Sequence, residues 1–269
     1  MFFISNSNWS EAVKVLAGML LVVAAAESTV SAQVTRGFDK TAPALATNEE
    51  IVRQPDVWAM EVQIKPIRLV WVEITDPQTK EKKTEEIWYL AWRSINRPVS
   101  GRVSQDTSPV NELDPLPGPT QFIPEFTLIT YDNPQTEVPA QILPDQILPE
   151  AVQKIRQIER GNLRNTVAIV QDLPEAVPPD AENQPWIYGV ATWRGVDPDT
   201  DFFKVILGGL SNAYQLKDTG NGNPQVWRKV LVQRFTRPGD RFDPNLKEFQ
   251  FSGDPTWIYQ PDSPPAAPL

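Results

Sequence analysis

The chain has 269 residues, with 34 acidic and 25 basic side chains for a formal charge of −9, and it contains neither histidine nor cysteine. Those two absences exclude Ser-His-Asp and Cys-His catalysis, Cys/His zinc sites, His- or Cys-ligated haem and a disulfide framework, so any chemistry must rest on carboxylates, hydroxyls, Lys, Arg or Tyr. The acidic balance repels phosphate backbones and argues against nucleic acid as a partner, and 27 prolines against 13 glycines interrupt long helices and favour a β-rich, packed fold.

Residues 15–26, VLAGMLLVVAAA, form an uninterrupted apolar run between Lys14 and Glu27. The run falls short of the ~20 apolar residues that a membrane-spanning helix needs and matches the core of a secretory signal. Val30, Ser31 and Ala32 follow, small or β-branched where a signal peptidase reads them, so cleavage is expected after Ala32. Lys14 is the only basic side chain ahead of the run and Glu11 opposes it, which leaves a retained amphipathic anchor as the alternative. Residues 1–32 therefore read as a signal peptide. The protein is expected to be exported, to a periplasmic, cell-surface or extracellular location, with no membrane span after cleavage. A chain without cysteine suits an oxidising envelope, because a domain of this length buries enough apolar area without cross-links.

Residues 33–57 lack sustained periodicity and read as a flexible N-terminal segment, and 261–269 as a proline-rich tail; 58–260 read as one domain. Residues 58–74 alternate through Val62, Ile64, Ile67, Leu69 and Trp71, with Pro66 marking a bulge or an edge. A charged turn at 76–83 leads to a second strand at 87–95, its antiparallel partner. There Trp88, Leu90 and Trp92 point one way, and Tyr89, Ala91 and Arg93 the other. Residues 96–120 carry Pro98, Pro109, Pro115, Pro117 and Pro119 and read as a long irregular connection of the kind that is often functional or mobile. A third strand is predicted at 122–131. Leu148, Ala151, Val152, Ile155 and Ile158 then recur at helical spacing, with Pro149 near the first position and Gly161 closing the end. That stripe must lie on a sheet or plug one end of a sandwich. Further strands are predicted at 166–170, 186–193, 202–207 and 226–235, with short ones at 248–251 and 256–259. Turn clusters at 197–201 and 218–223 separate some of them. The expected fold class is mainly β: a β-sandwich of the immunoglobulin-like class with about nine strands and one amphipathic helix. The similarity of 88–93 to 186–194 has mismatched gaps and makes no repeat.

Asp197, Asp199 and Asp201 stand at i, i+2 and i+4, as calcium loops begin. An EF-hand then needs Gly at the sixth position and Glu at the twelfth, where this chain has Phe202 and Gly208. The expectation is a proline-containing hairpin turn whose aspartates cap local backbone donors; a calcium site of another kind is the alternative, and no cofactor is expected. Trp88, Tyr89, Trp92, Trp186, Tyr188, Trp193, Trp227, Trp257 and Tyr259 offer stacking platforms for sugar rings, yet nearly all lie in predicted strands, where core packing is expected. Arg228, Lys229, Arg234, Arg237 and Arg241 crowd one stretch against Asp240, but they fall on both faces, so pairing with acidic neighbours is expected. Glycosidases need two carboxyls flanking a bond. No spacing here identifies such a pair, and neither G-x-x-x-x-G-K-[ST] nor G-x-S-x-G occurs. No catalytic residue is nominated.

Residues 189–203 (GVATWRGVDPDTDFF), 209–214 (GLSNAY), 87–93 (IWYLAWR) and 148–151 (LPEA) resemble uncharacterised exported proteins of planctomycete-type bacteria. The resemblance spans roughly the middle half of the chain. It implies export and membership of that group, and carries no activity and no catalytic residues. The function expected is that of a non-enzymatic exported envelope protein, a β-sandwich module for interaction with another envelope protein or a surface polysaccharide. The alternative is a secreted carboxylate-dependent hydrolase acting on glycans. A deep cleft with paired carboxylates and aromatic walls favours the hydrolase, and a closed core with exposed strand edges favours the module.

Overall fold

The computed structural model describes residues 37–75, 79–99, 120–218, 224–239 and 248–261. The expected signal peptide with its Ala32 cleavage position, most of the 96–120 connection and the tail beyond Pro261 lie outside the described residues. The first sheet is built on β4 (Lys82–Asn96), with β2 (Met60–Ile64) and β3 (Arg68–Thr75) end to end along one edge and β9 (Ile187–Arg194) along the other; β1 (Lys40–Ala42) extends it beyond β2. All pairings are antiparallel. Ile64 faces Trp92 and Arg68 faces Tyr89, so residues 65–67 stand opposite only 90 and 91. This is the bulge expected at Pro66, which has no N–H to give a ladder.

The second sheet runs β11 (Tyr214–Asp218), β12 (Pro224–Thr236), β10 (Phe202–Gly208), β6 (Glu125–Tyr131) and β7 (Gln141–Pro144), with β13 (Gln250–Pro261) on the other edge of β12. A short separate pair joins β5 (Gln121–Phe122) to β8 (Gln171–Asp172). The two large sheets face each other across one apolar layer. Trp88, Leu90 and Trp92 of β4 meet Phe126 and Leu128 of β6, Phe203 and Val205 of β10, and Leu231 and Phe235 of β12. The Trp88 ring lies 4.3 Å from Phe249 and 5.1 Å from Phe203. The protein is thus mainly β, a sandwich whose core carries an aromatic cluster of Trp88, Phe203, Phe235 and Phe249.

Tyr89 and Ala91 point the other way, with Val70, Val72, Ile74, Ile87 and Val190, and make a second apolar layer under the predicted helix, α2 (Pro149–Glu159), through Ala151, Val152 and Ile155. The helix therefore covers the outer face of the first sheet. Its left-handed closing residue is Arg160 (φ 51°), one position before the glycine expected to close it.

Several expectations are corrected. From residue 37 onward the segment expected to be flexible is structured: β1 pairs with β2, α1 (Asn48–Arg53) follows, and Val57 is fully buried. A capping box starts α1, Thr47 accepting from the Glu50 N–H while the Glu50 carboxylate accepts from the Thr47 N–H. Residues 166–169 are turns instead of a strand, because Asn165 Oδ1 accepts the Ala168 N–H at 2.7 Å and offers the backbone a local alternative. The third strand is broken at Ile123 and Pro124, and the last two candidates are one strand, β13, irregular at Gly253 (φ 77°). β7 and β11, outer strands with short patterns, were not expected; among the described residues there are 13 strands and two helices.

Candidate functional site

The three-aspartate turn does not join a hairpin. β9 before it belongs to the first sheet and β10 after it to the second, so the turn carries the chain across the sandwich. Asp197 Oδ1 accepts the Asp199 N–H at 2.9 Å, the Thr200 N–H donates to the Asp197 carbonyl at 3.1 Å, and Asp201 lies 3.4 Å from Arg237 Nε. The aspartates thus serve local backbone donors and an ion pair. Among the described residues no group of three or more acidic side chains is placed to hold a metal ion.

The basic stretch is dispersed into pairs. Lys229 is buried and donates to both oxygens of Glu50 at 2.9 Å, Arg234 pairs with Glu137 at 2.5 Å, and Arg237 with Asp201; Arg241 lies outside the described residues. Burial works against the Glu50 carboxylate, but the Tyr259 hydroxyl, the Thr47 N–H and Lys229 hold its pKa below the ordinary value, while burial and Glu50 push the Tyr259 phenol up. A second buried carboxylate, Glu159, ends α2 against Lys65 (2.6 Å), Arg68 (2.8 Å) and the Tyr89 hydroxyl (2.9 Å), which outweigh its desolvation and keep it ionised. Both clusters are internally satisfied, and they fasten α1 and α2 to the sheets.

Of the aromatic candidates, Trp88, Tyr89, Trp92 and Trp193 fill the core, while Trp186, Trp227, Trp257 and Tyr259 are half-buried. Trp186 stacks on the Arg93 guanidinium at 4.3 Å and Trp227 lies under Lys217 Nζ at 3.5 Å. The indole most open to solvent among the described residues is Trp71, which the alternation places in line with Leu69 and which is 57% exposed.

Trp71 lines an open groove of about 690 Å³ with Lys83, Thr84, Glu85 and Glu86 of β4, Gln146 before α2, and Arg194, Gly195, Val196 and Pro198. The groove exists because the β3–β4 hairpin extends to Thr75 and Lys82, past the last pairing of β9 with β4 at Arg194 and Ile87, and β9 turns away at Gly195 (φ 72°). Trp71 and Glu86 are directly opposed across the ladder. Glu86 Oε1 accepts the Trp88 indole N–H at 3.0 Å, and Lys154 of α2 donates to the Trp71 carbonyl at 2.6 Å, so both neighbours of the groove floor are held. Glu85 and Glu86 leave opposite faces of β4, which keeps them from flanking one bond as a hydrolytic pair must. Asp145, whose pKa burial raises, lines neither this groove nor the other cavity.

That other cavity, about 450 Å³, lies on the second sheet over Thr127, Ile206 and Val230. One wall is the loop 209–213, and along β12 the six residues 208–213 stand opposite only Lys229 and Val230. Gly209 (φ 67°) is pressed so close that a Cβ would come 1.8 Å from the Ile123 carbonyl oxygen. Ser211 Oγ donates to the Trp58 carbonyl at 2.8 Å and the Met60 N–H to the Leu210 carbonyl at 2.8 Å, tying this loop to the first sheet. Asn212 in the same wall is consumed by Trp58 and Asp56. Compared with family models, curated proteins and solved structures, the chain matches none.

Proposed function

We propose that the chain is a non-enzymatic exported envelope protein whose sandwich holds a surface polysaccharide through the Trp71 groove. The carrying observation is the exposed Trp71 indole on a groove lined also by the polar side chains of Thr84, Glu86 and Gln146 and by Val196 and Pro198. Covering that ring removes on the order of 100 Å² of apolar surface from water, about 2–3 kcal/mol. A single contact of that size binds weakly. A repeating polymer compensates by presenting the same ring many times, and an open groove admits a chain where a closed pocket admits only its end. Polar residues beside the ring suit a sugar, which has an apolar C–H face and hydroxyls at its rim. The apolar run at 15–26 with Ala32 beyond it, and the resemblance to exported proteins, support placement outside the cytoplasm.

Affinity electrophoresis of the full chain through gels containing soluble polysaccharides tests this. Retardation by at least one polymer, lost in Trp71→Ala while the melting temperature stays within a degree or two, is expected. Equal mobility of Trp71→Ala and the unmodified protein in every gel overturns it.

A further inference from the structure

Resting on that reading of the groove, we infer that it selects uncharged sugars and turns away those bearing carboxylate or sulfate, with Glu86 as the selecting residue. Strand alternation divides the charges of the groove between two faces. Trp71, Glu73, Lys82, Thr84 and Glu86 share one face of the β3–β4 hairpin, while Lys83, Glu85 and Arg194 lie on the other. On the Trp71 face Lys82 is taken up by Glu73 at 2.7 Å. Glu86 has no cation within salt-bridge distance among the described residues; its one recorded partner is the neutral Trp88 indole. Trp88 is a fixed donor, 1% exposed and wedged between Phe203 and Phe249.

A carboxylate with one lone pair taken still accepts hydrogen bonds and donates none. Beside the Trp71 ring, at cross-strand distance, it receives hydroxyl protons from a sugar stacked on the indole. An anionic sugar in the same place brings a second negative charge beside Glu86, and within about 5 Å that repulsion costs roughly tenfold or more in affinity. The cations that line the groove, Lys83 and Arg194, leave the sheet from the face opposite Trp71 and Glu86, and Lys83 lies 3.9 Å from Glu85.

The test uses the full chain against two uncharged polymers, a β-glucan and a galactomannan, and two uronate polymers, alginate and polygalacturonate, at 0.15 M salt. Glu86→Gln keeps the shape and the acceptor for Trp88 but removes the charge. Glu125→Gln, in the other cavity, removes the same charge elsewhere. Retention on an uncharged polymer at least tenfold stronger than on either uronate is expected. Glu86→Gln should narrow that ratio roughly tenfold, and Glu125→Gln should leave it in place. Equal shifts in the two variants, or a preference of the unmodified protein for uronate, overturn the inference. Binding that needs Trp71 and ignores Glu86 sinks the selectivity alone. Binding by no polymer, or binding indifferent to Trp71, sinks the groove itself.

Discussion

Gly189 of β9 lies directly opposite Trp92 of β4, and the Trp92 indole occupies the space a side chain at 189 would fill: a Cβ there would come 2.3 Å from Trp92 Cζ2 and 2.8 Å from Nε1. The ring is fully buried and packs on Phe126 at 5.1 Å, so it has nowhere to withdraw. Gly189→Ala should therefore cost about 1–3 kcal/mol by overpacking, lowering the melting temperature by several degrees. Combined with Trp92→Leu, which vacates the space, it should cost clearly less than the sum of the two single changes. Additive losses would show that the contact is not what restricts the site.

The alternation at 87–92 was legible because Trp88, Leu90 and Trp92 had to be apolar for the sandwich, and Ile87, Tyr89 and Ala91 for the helix. The same logic misplaces Trp71. Leu69 and Trp71 look like a core face, yet Glu73 shares it, while Val70, Val72 and Ile74 form the stripe that α2 covers. The polar Glu73 and Thr75 beyond Trp71 were the available sign that this face leaves the core. Nothing in the sequence reveals how far β3 and β4 run beyond β9, and the groove follows from that extension. The α1 capping box, Thr47 and Glu50, was readable, but a six-residue helix has too short a stripe for periodicity to find it.

The burial of α2 gives a paired prediction. Ile155 is fully buried against the first sheet, whereas Ile158 on the next turn is 38% exposed. Ile155→Asp should cost about 3–5 kcal/mol through the lost contact and a buried charge without a partner, and Ile158→Asp less than about 1 kcal/mol. Urea unfolding decides between them. Equal midpoints would mean that the helix does not rest on the sheet through this face.

Cleavage after Ala32 leaves only four residues before Gly37, from which the chain is described. Phe38 already stacks on Arg93 at 4.6 Å, and the Asp39 N–H already donates to the Ile64 carbonyl. A chain that begins at Gln33 should therefore keep both of these contacts. Intact mass of the protein recovered from its host's envelope should place Gln33 at the amino terminus, with thermal stability equal to that of a chain expressed from Gln33. Recovery of Met1-bearing protein from the membrane fraction would instead establish the retained anchor.

The Glu50–Lys229 pair fastens α1 to β12 of the second sheet, and its burial makes the two single deletions unequal to the double one. Glu50→Ala leaves the Lys229 ammonium with the Leu45 carbonyl (2.7 Å) but no counter-charge, and should cost about 3–5 kcal/mol. Lys229→Met with Glu50→Gln removes both charges and should cost far less. Acid tests the same pair. The folded pKa of Glu50 is depressed below 4.5, and Glu137 and Glu159 shift the same way. Their contribution is therefore present above the unfolded value and lost as pH falls below it through the depressed folded values. Asp145 has the opposite sign: its raised pKa penalises the folded state once pH climbs past 3.8, so it works against this slope without reversing it. Stability measured by urea unfolding should hold from pH 7 to about 5 and decline below about 4.5. The decline should be shallower in the double variant, which has no carboxylate at position 50. An identical acid limb in the two proteins would mean that Glu50 titrates as it does in the unfolded chain and that the pair does not hold α1.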